Sequence, residues 1–180
     1  MIIKIKSHIL RALNAFVAGK ADTRFYLQGL CLDLTEQGNP LLVSANGHGL
    51  LAAPVEVVSP DNAPGETSIW TPVKVPRRKS PVDVTLELTD AVEGLVSWGS
   101  TSERPRRIDG TYPNWREILR DPNKKGAHER IGLDTRNLAP IAAELDAHCE
   151  LGFGESPMDQ ISVQWGSHPD LICAVMPCRV

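Results

Sequence analysis

The chain has 180 residues, enough to bury a real hydrophobic core in one domain or one and a half. With 42% hydrophobic and 23% charged residues, its composition excludes low-complexity and fibrous classes. A net charge of −3 and a pI near 5.9 exclude an overall basic nucleic-acid binder, while leaving room for a basic patch on one face.

Residues 1–6 alternate and predict a strand. Ser7 is a good N-cap for a helix whose apolar face carries Ile9, Leu10, Leu13, Phe16 and Val17, and Gly19 can end it. His8, Arg11, Asn14 and Lys20 give the other side a mildly basic character. Residues 24–34 predict an aliphatic and aromatic strand, residues 37–40 a turn, and residues 41–45 a second strand. Asn46 and Gly47 begin a bend, residues 49–58 continue as strand, and residues 59–67 form a loop. Pro72 within residues 69–75, with Pro76 just beyond, predicts an edge strand. Further strands are expected around Val84, Leu86 and Leu88, at residues 94–98 and at residues 106–108.

The polar stretch at residues 120–129 is the best linker. A second helix is predicted over residues 135–147, with Leu138, Ile141, Ala142 and Leu145 as its stripe. Pro140 is tolerated there if Asn137 is the N-cap. Strands at residues 150–154, 160–165 and 171–180 close the chain. Two helices among nine or ten strands predict an α+β fold with antiparallel sheets, in which a helix-plus-three-strands unit occurs twice.

Catalytic constellations are weak. The four cysteines, Cys31, Cys149, Cys173 and Cys178, form no CxxC pair, consistent with reduced thiols in a cytoplasmic protein. Buried thiols acting as small hydrophobes are favoured over a zinc site with His148 and His168. A nucleophilic Cys149 is disfavoured by its expected place after a helix C-terminus. The pairs Asp33/Glu36 and Glu144/Asp146 read as surface charge, and no phosphate-cradling glycine loop occurs. Trp70, Trp98, Trp115 and Trp165 could stack on bases, but core packing is favoured. Lys4, Lys6, His8 and Arg11 break any leader-like apolar run, and no run nears the ~20 residues of a membrane span. No cofactor, metal or membrane partner is expected.

Four segments carry a family resemblance, in family order. Arg24-Phe25-Tyr26-Leu27-Gln28-Gly29 is similar to R-Y-Y-L-N-G, and Ala45-Asn46-Gly47-His48-Gly49-Leu50 to T-D-G-H-R-L. Ile108-Asp109-Gly110-Thr111-Tyr112-Pro113-Asn114-Trp115 is similar to a D-G-R-F-P-D-Y stretch, and Val175-Met176-Pro177-Cys178-Arg179-Val180 to V-M-P-M-R-L. Together they resemble the bacterial sliding clamp, the beta subunit of DNA polymerase III, in a truncated form. The first half resembles the clamp's middle domain as far as Arg77. From Ile131 the chain resembles the second half of the last domain. The resemblance implies one clamp-like domain of two pseudo-twofold halves, about residues 1–60 and 131–180, with a β-rich insertion at about 61–130.

It also implies a non-enzymatic role in DNA replication, in a phage or prophage setting. Helices would face double-stranded DNA through sequence-independent, salt-sensitive phosphate contacts. Lys4, Lys6, Arg11, Lys20, Arg24, Arg77, Arg78, Lys79 and Arg136 could serve, or could be scattered solvated charge. A family ring contains six such domains, so a homo-oligomer is expected. A peptide-binding pocket for polymerases and other replication proteins would comprise Leu27, Gly47, His48, Leu50, Met176, Pro177, Cys178 and Arg179. Gly49 in place of the family arginine, Ala45, Cys178, Val180 and Arg120 depart from the family's pattern at this pocket. A non-ring adaptor or decoy, and an unrelated small α+β enzyme, are the alternatives.

Overall fold

A computed structural model describes residues 1–36, 38–119 and 131–178. The expected linker, Arg120 and Arg179 lie outside the described residues.

Isoleucines at alternate positions make Ile2–Lys6 a strand, β1, with Ile3 and Ile5 inward. The helix α1, Ser7–Ala15, follows at once and buries Leu10, Ala12 and Leu13. Ser7 is not its N-cap. The Ser7 hydroxyl accepts the Val82 N–H at 3.1 Å and the Ser7 N–H reaches the Val82 carbonyl at 2.9 Å, so the side chain staples the helix start to a distant loop. The helix also ends before Gly19, at Ala15, with Phe16 as C-cap turned into the core.

The stretch expected as one strand over residues 24–34 splits. A 3-10 turn at Phe25–Leu27 precedes β2, Leu30–Asp33. Gly29 marks the joint, because a Cβ there would meet Ile69, Ile108 and the Trp70 carbonyl at 2.7–2.8 Å. Strands β3, Leu41–Ala45, and β4, Gly49–Pro54, follow as predicted. After Pro54 the chain changes sheets, so the expected strand over residues 49–58 is in fact β4 plus β5, Glu56–Ser59. β6, Thr67–Trp70, stops before the prolines and lies between two strands rather than at an edge.

The middle of the chain supplies β7, Asp83–Glu87, β8, Leu95–Trp98, β9, Thr101–Glu103, and β10, Arg107–Ile108. The second helix is much shorter than predicted. A 3-10 turn, Thr135–Asn137, leads into α2, Ala139–Ala142, whose N-cap is Leu138 and not Asn137. Pro140 falls in the first turn, where its missing N–H costs nothing. Asp146 then accepts the His148 N–H at 3.0 Å and turns the chain. Cys149 therefore follows a turn instead of a helix end. β11, Glu150–Gly152, β12, Ile161–Trp165, and β13, His168–Val175, complete thirteen strands among the described residues.

Every named strand pair is antiparallel. One sheet runs β5-β1-β7-β8-β9, the other β10-β6-β2-β3-β4-β13-β12-β11. The larger sheet reads outward from a β4–β13 seam, where Leu50 faces Ala174 and Leu51 faces Cys173. The two helix-plus-three-strands units thus meet strand to strand, and α1 touches α2 above the same seam. The segment after residue 60 contributes β6 and β10 to the larger sheet and β7, β8 and β9 to the smaller.

The centre of the larger sheet is buried on both faces. On one face Leu30, Leu32, Leu42, Leu51 and Ala53 join α1 and the smaller sheet in the main core. On the other, Cys31, Val43, Leu50, Ala52 and Ile69 pack under Tyr112 and Trp115. All four tryptophans are buried, so none offers a ring for stacking on bases. Among the described residues no helix is long and apolar enough to cross a membrane.

Ile141 is the one buried residue of α2 and ties this four-residue helix to the core. Ile141→Ala is expected to cost about 2–5 kcal/mol, read from urea unfolding.

Candidate functional site: the mouth of the sheet seam

The β4–β13 register fixes the site. With Gly49 opposite Val175, the loop before β4 and the tail after β13 leave the sheet side by side. The Met176 N–H donates to the His48 carbonyl at 2.8 Å. The tail continues to Cys178, whose N–H meets the Gly132 carbonyl at 2.9 Å. Residues 47–48 and 176–178, remote in sequence, therefore form one rim. His48 and Cys178 are exposed, and Met176 leaves 40% of its surface open.

The bend at residues 46–49 is built from its own side chains. Asn46 Oδ1 accepts the N–H groups of His48 and Gly49 at 2.9 and 3.0 Å. Gly47 has φ +84°, open to glycine and strained for other residues. The Arg24 guanidinium lies against it, about where a Cβ would fall, and reaches the Asn46 carbonyl at 3.4 Å.

Gly49 is explained by the helix side. A Cβ there would overlap the Phe16 ring, so the phenylalanine at the end of α1 fills the space and no longer side chain fits. Phe16 of α1 thus occupies the space that a side chain at position 49 of β4 would need. Leu27 and Leu50, expected as pocket residues, are only 5% and 4% exposed and belong to the second core cluster, beneath the rim.

Two Asp-Thr-Arg triplets flank the rim, and sequence reading passed over them. Asp22 accepts the Arg24 backbone N–H at 2.9 Å and its guanidinium at 2.7 Å; Asp134 does the same for Arg136 at 3.0 and 2.7 Å. Each aspartate turn leads into a 3-10 turn. The Arg24 hydrogen bonds hold the Asp22 carboxyl down at about 2, and those of Arg136 lower Asp134. His48 stands close enough to both carboxylates to contribute to each shift. The recurrence of D-T-R 112 residues apart was the available signal.

Asp33 is the buried anchor behind the site, not surface charge. It accepts the Trp115 indole N–H at 2.7 Å, the Thr35 N–H at 3.0 Å and hydroxyl at 2.6 Å, and the Arg116 guanidinium. Arg116 also pairs with Glu36 at 2.9 Å and stacks 4.3 Å from the Trp115 ring centroid. Burial pushes the Asp33 carboxyl up, but these hydrogen bonds outweigh it and leave it below the ordinary carboxylate range. The effect is to strap residues 112–119 over the outer face of the sheet.

The basic residues are largely matched. Lys6 pairs with Asp83 at 2.7 Å, and Arg11 and Arg77 share Glu144 at 2.7 and 2.5 Å. Burial raises Glu144, yet Arg77 and Arg11 bring it below its usual value. Lys20, Arg78 and Lys79 are exposed and form no ion pair among the described residues, and Lys4 is half-buried on β1. Cys31 and Cys173 are buried, and desolvation pushes the Cys31 thiol up to about 12 and Cys173 higher still. Cys149 and Cys178, contrary to expectation, are exposed. No group of three metal-ligating side chains occurs among the described residues.

No protein-family model and no curated protein matches the sequence. Solved structures do match. The DNA polymerase III beta subunit of Borrelia burgdorferi aligns at TM-score 0.72 and 14% identity, over 100% of this chain and 63% of that one. The sliding clamp of Bartonella birtlesii aligns at 0.69 and 15%, over 99% and 66%. That of Caulobacter crescentus aligns at 0.65 and 19%, over 99% and 66%. The fold is that of the bacterial sliding clamp. The chain spans about two thirds of the length of these clamps.

Two outcomes follow from this geometry. Gly49→Arg is expected to cost about 1–3 kcal/mol by overpacking against Phe16, with part recovered in Phe16→Ala/Gly49→Arg, both read by urea unfolding. Asp33 and Glu144 have lowered pKa values, so their stabilisation is complete above the unfolded carboxylate value and is lost as pH falls through the folded one. Acid unfolding below about pH 4 should therefore weaken in slope in Asp33→Asn, which also forfeits about 1–3 kcal/mol at neutral pH.

Proposed function

We propose that the chain is a non-enzymatic, clamp-like protein of DNA replication that docks short peptide segments of a polymerase or other replication protein at the His48–Met176 rim. The observation that carries the reading is the seam. On a clamp fold, β4–β13 pairing brings Gly47, His48, Met176, Pro177 and Cys178 to one surface. Exposed Met176, with Phe25 53% exposed in the neighbouring turn, provides apolar area for an anchor side chain. Leu27 and Leu50 support the floor from below. The domain reading goes with this: two clamp halves, about residues 1–60 and 131–180, joined at the seam and braced by the strands between them.

The charge pattern favours a docking module over an encircling ring. Five of the nine basic residues considered for DNA, namely Lys6, Arg11, Arg24, Arg77 and Arg136, are paired with four carboxylates, Arg11 and Arg77 sharing Glu144. Ring assembly by several copies around double-stranded DNA is the second reading. It is favoured by the edges of β5, β9 and β11, each of which pairs with one strand only among the described residues.

Fluorescence polarisation with a labelled clamp-recognition peptide tests the first reading. Binding is expected, with a roughly tenfold loss in His48→Ala/Met176→Ala. Unchanged binding in that double variant would remove the rim from the proposal. Light scattering and salt-dependent DNA binding test the second: a monomer without a salt slope rules out the ring.

A further inference from the structure

His8 and His168 meet where the two units join. His8 is the second residue of α1 and His168 the first of β13, with ring centroids 5.2 Å apart and planes inclined by 44°. The Nδ1 of His8 is buried without a hydrogen-bond partner among the described residues. We infer that this imidazole pair is an acid-sensitive latch, holding α1 against β13 while both rings are neutral and loosening the β4–β13 seam when they are protonated.

The surroundings of the pair disfavour a positive charge on His8. The first turn of α1 contains no acidic side chain, and a helix N-terminus disfavours a cation. The charged groups facing His8 are Lys6 from β1, Arg11 from α1, His168 from β13 and Glu144 beyond α2. Three of these are basic. The single carboxylate, Glu144, is already held by two guanidiniums, those of Arg11 and Arg77. A protonated His8 would therefore sit half-buried, at the positive end of a helix, beside a second imidazolium and without a free counterion. Burial, then His168 and Arg11, all displace its titration below the ordinary histidine value, against a smaller opposing pull from Glu144. The sign follows: with the folded pKa below the unfolded one, stability is complete above the unfolded value and falls as pH drops between the two.

The contact is also well placed to act on the seam. His168 pairs with Trp165 at the β12–β13 turn, and the same β13 runs on to its four pairs with β4. The helix itself packs on β3 and β4, so strain at the His8–His168 contact bears on both partners of that junction. The latch does not depend on the docking reading, because it concerns the join of the units and not the rim's occupant.

The test uses the full chain. Imidazole resonances of the wild type are followed by NMR from about pH 8 to about pH 5. His8 is expected to titrate below 6.5. Across that window the folding equilibrium constant from urea unfolding should fall by up to about tenfold per pH unit. That slope should shrink in His168→Gln and largely vanish in His8→Gln. Hydrogen exchange, corrected for its intrinsic pH dependence, should speed up first at residues 50–52 and 173–175, ahead of the β1–β7 pair. His8 titrating at or above 6.5, an unaltered slope in His168→Gln, or uniform loss of protection across both sheets would each overturn the latch. If His8→Gln fails to fold, the NMR titration and His168→Gln still decide.

Discussion

The pairing of β4 with β13 is the constraint on which the rest depends. It joins two units distant in sequence through one antiparallel ladder, in which every residue but Ile172 is buried. Its backbone hydrogen bonds are made away from water, so register is strongly fixed: a slip of one residue would turn Leu51 and Cys173 away from the main core. Above the ladder the helices meet, and Arg11 of α1 holds Glu144, just past the end of α2, at 2.7 Å. At its end the chain emerges as the rim. A single local interaction therefore positions the core, the interhelix contact and the exposed loops.

Two kinds of polar contact reinforce this plan. Asp33 acts inside, where one carboxylate collects donors from two segments and secures the strap formed by residues 112–119. The two Asp-Thr-Arg turns act at the surface, where they set the direction in which the chain approaches the rim. Because each of their carboxylates is satisfied by its own arginine, these two turns add no net charge to the described part of the rim, where Met176 and the His48 imidazole are exposed.

Much of the fold was legible in the sequence because its strands carry local signals. The isoleucine alternation of β1 and the aliphatic run of β3 survive with small changes in boundary. Where sequence reading failed, a partner distant in the chain decided the outcome. Ser7 looks like a cap, but a loop near Val82 claims its hydroxyl. Residues 24–34 look like one strand, but close approach at Gly29 and the Asp22 turn break it. The stripe from Leu138 to Leu145 promised a long helix, yet only Ile141 is fully buried, and an aspartate turn supplies a competing conformation at once. The loops that make the rim were found by their resemblance. That Leu27 and Leu50 lie beneath it depends on the strap covering them, which no local pattern encodes.

The contact between Phe16 and Gly49 carries a consequence for the history of the chain. An aromatic ring at one position and the absence of a side chain at the other occupy the same space. Neither can change far by itself. Among related sequences the two positions should covary, with bulk at 49 accompanied by a small residue at 16. A lineage moving between the two arrangements must pass through an intermediate with either a void or a clash beneath the rim.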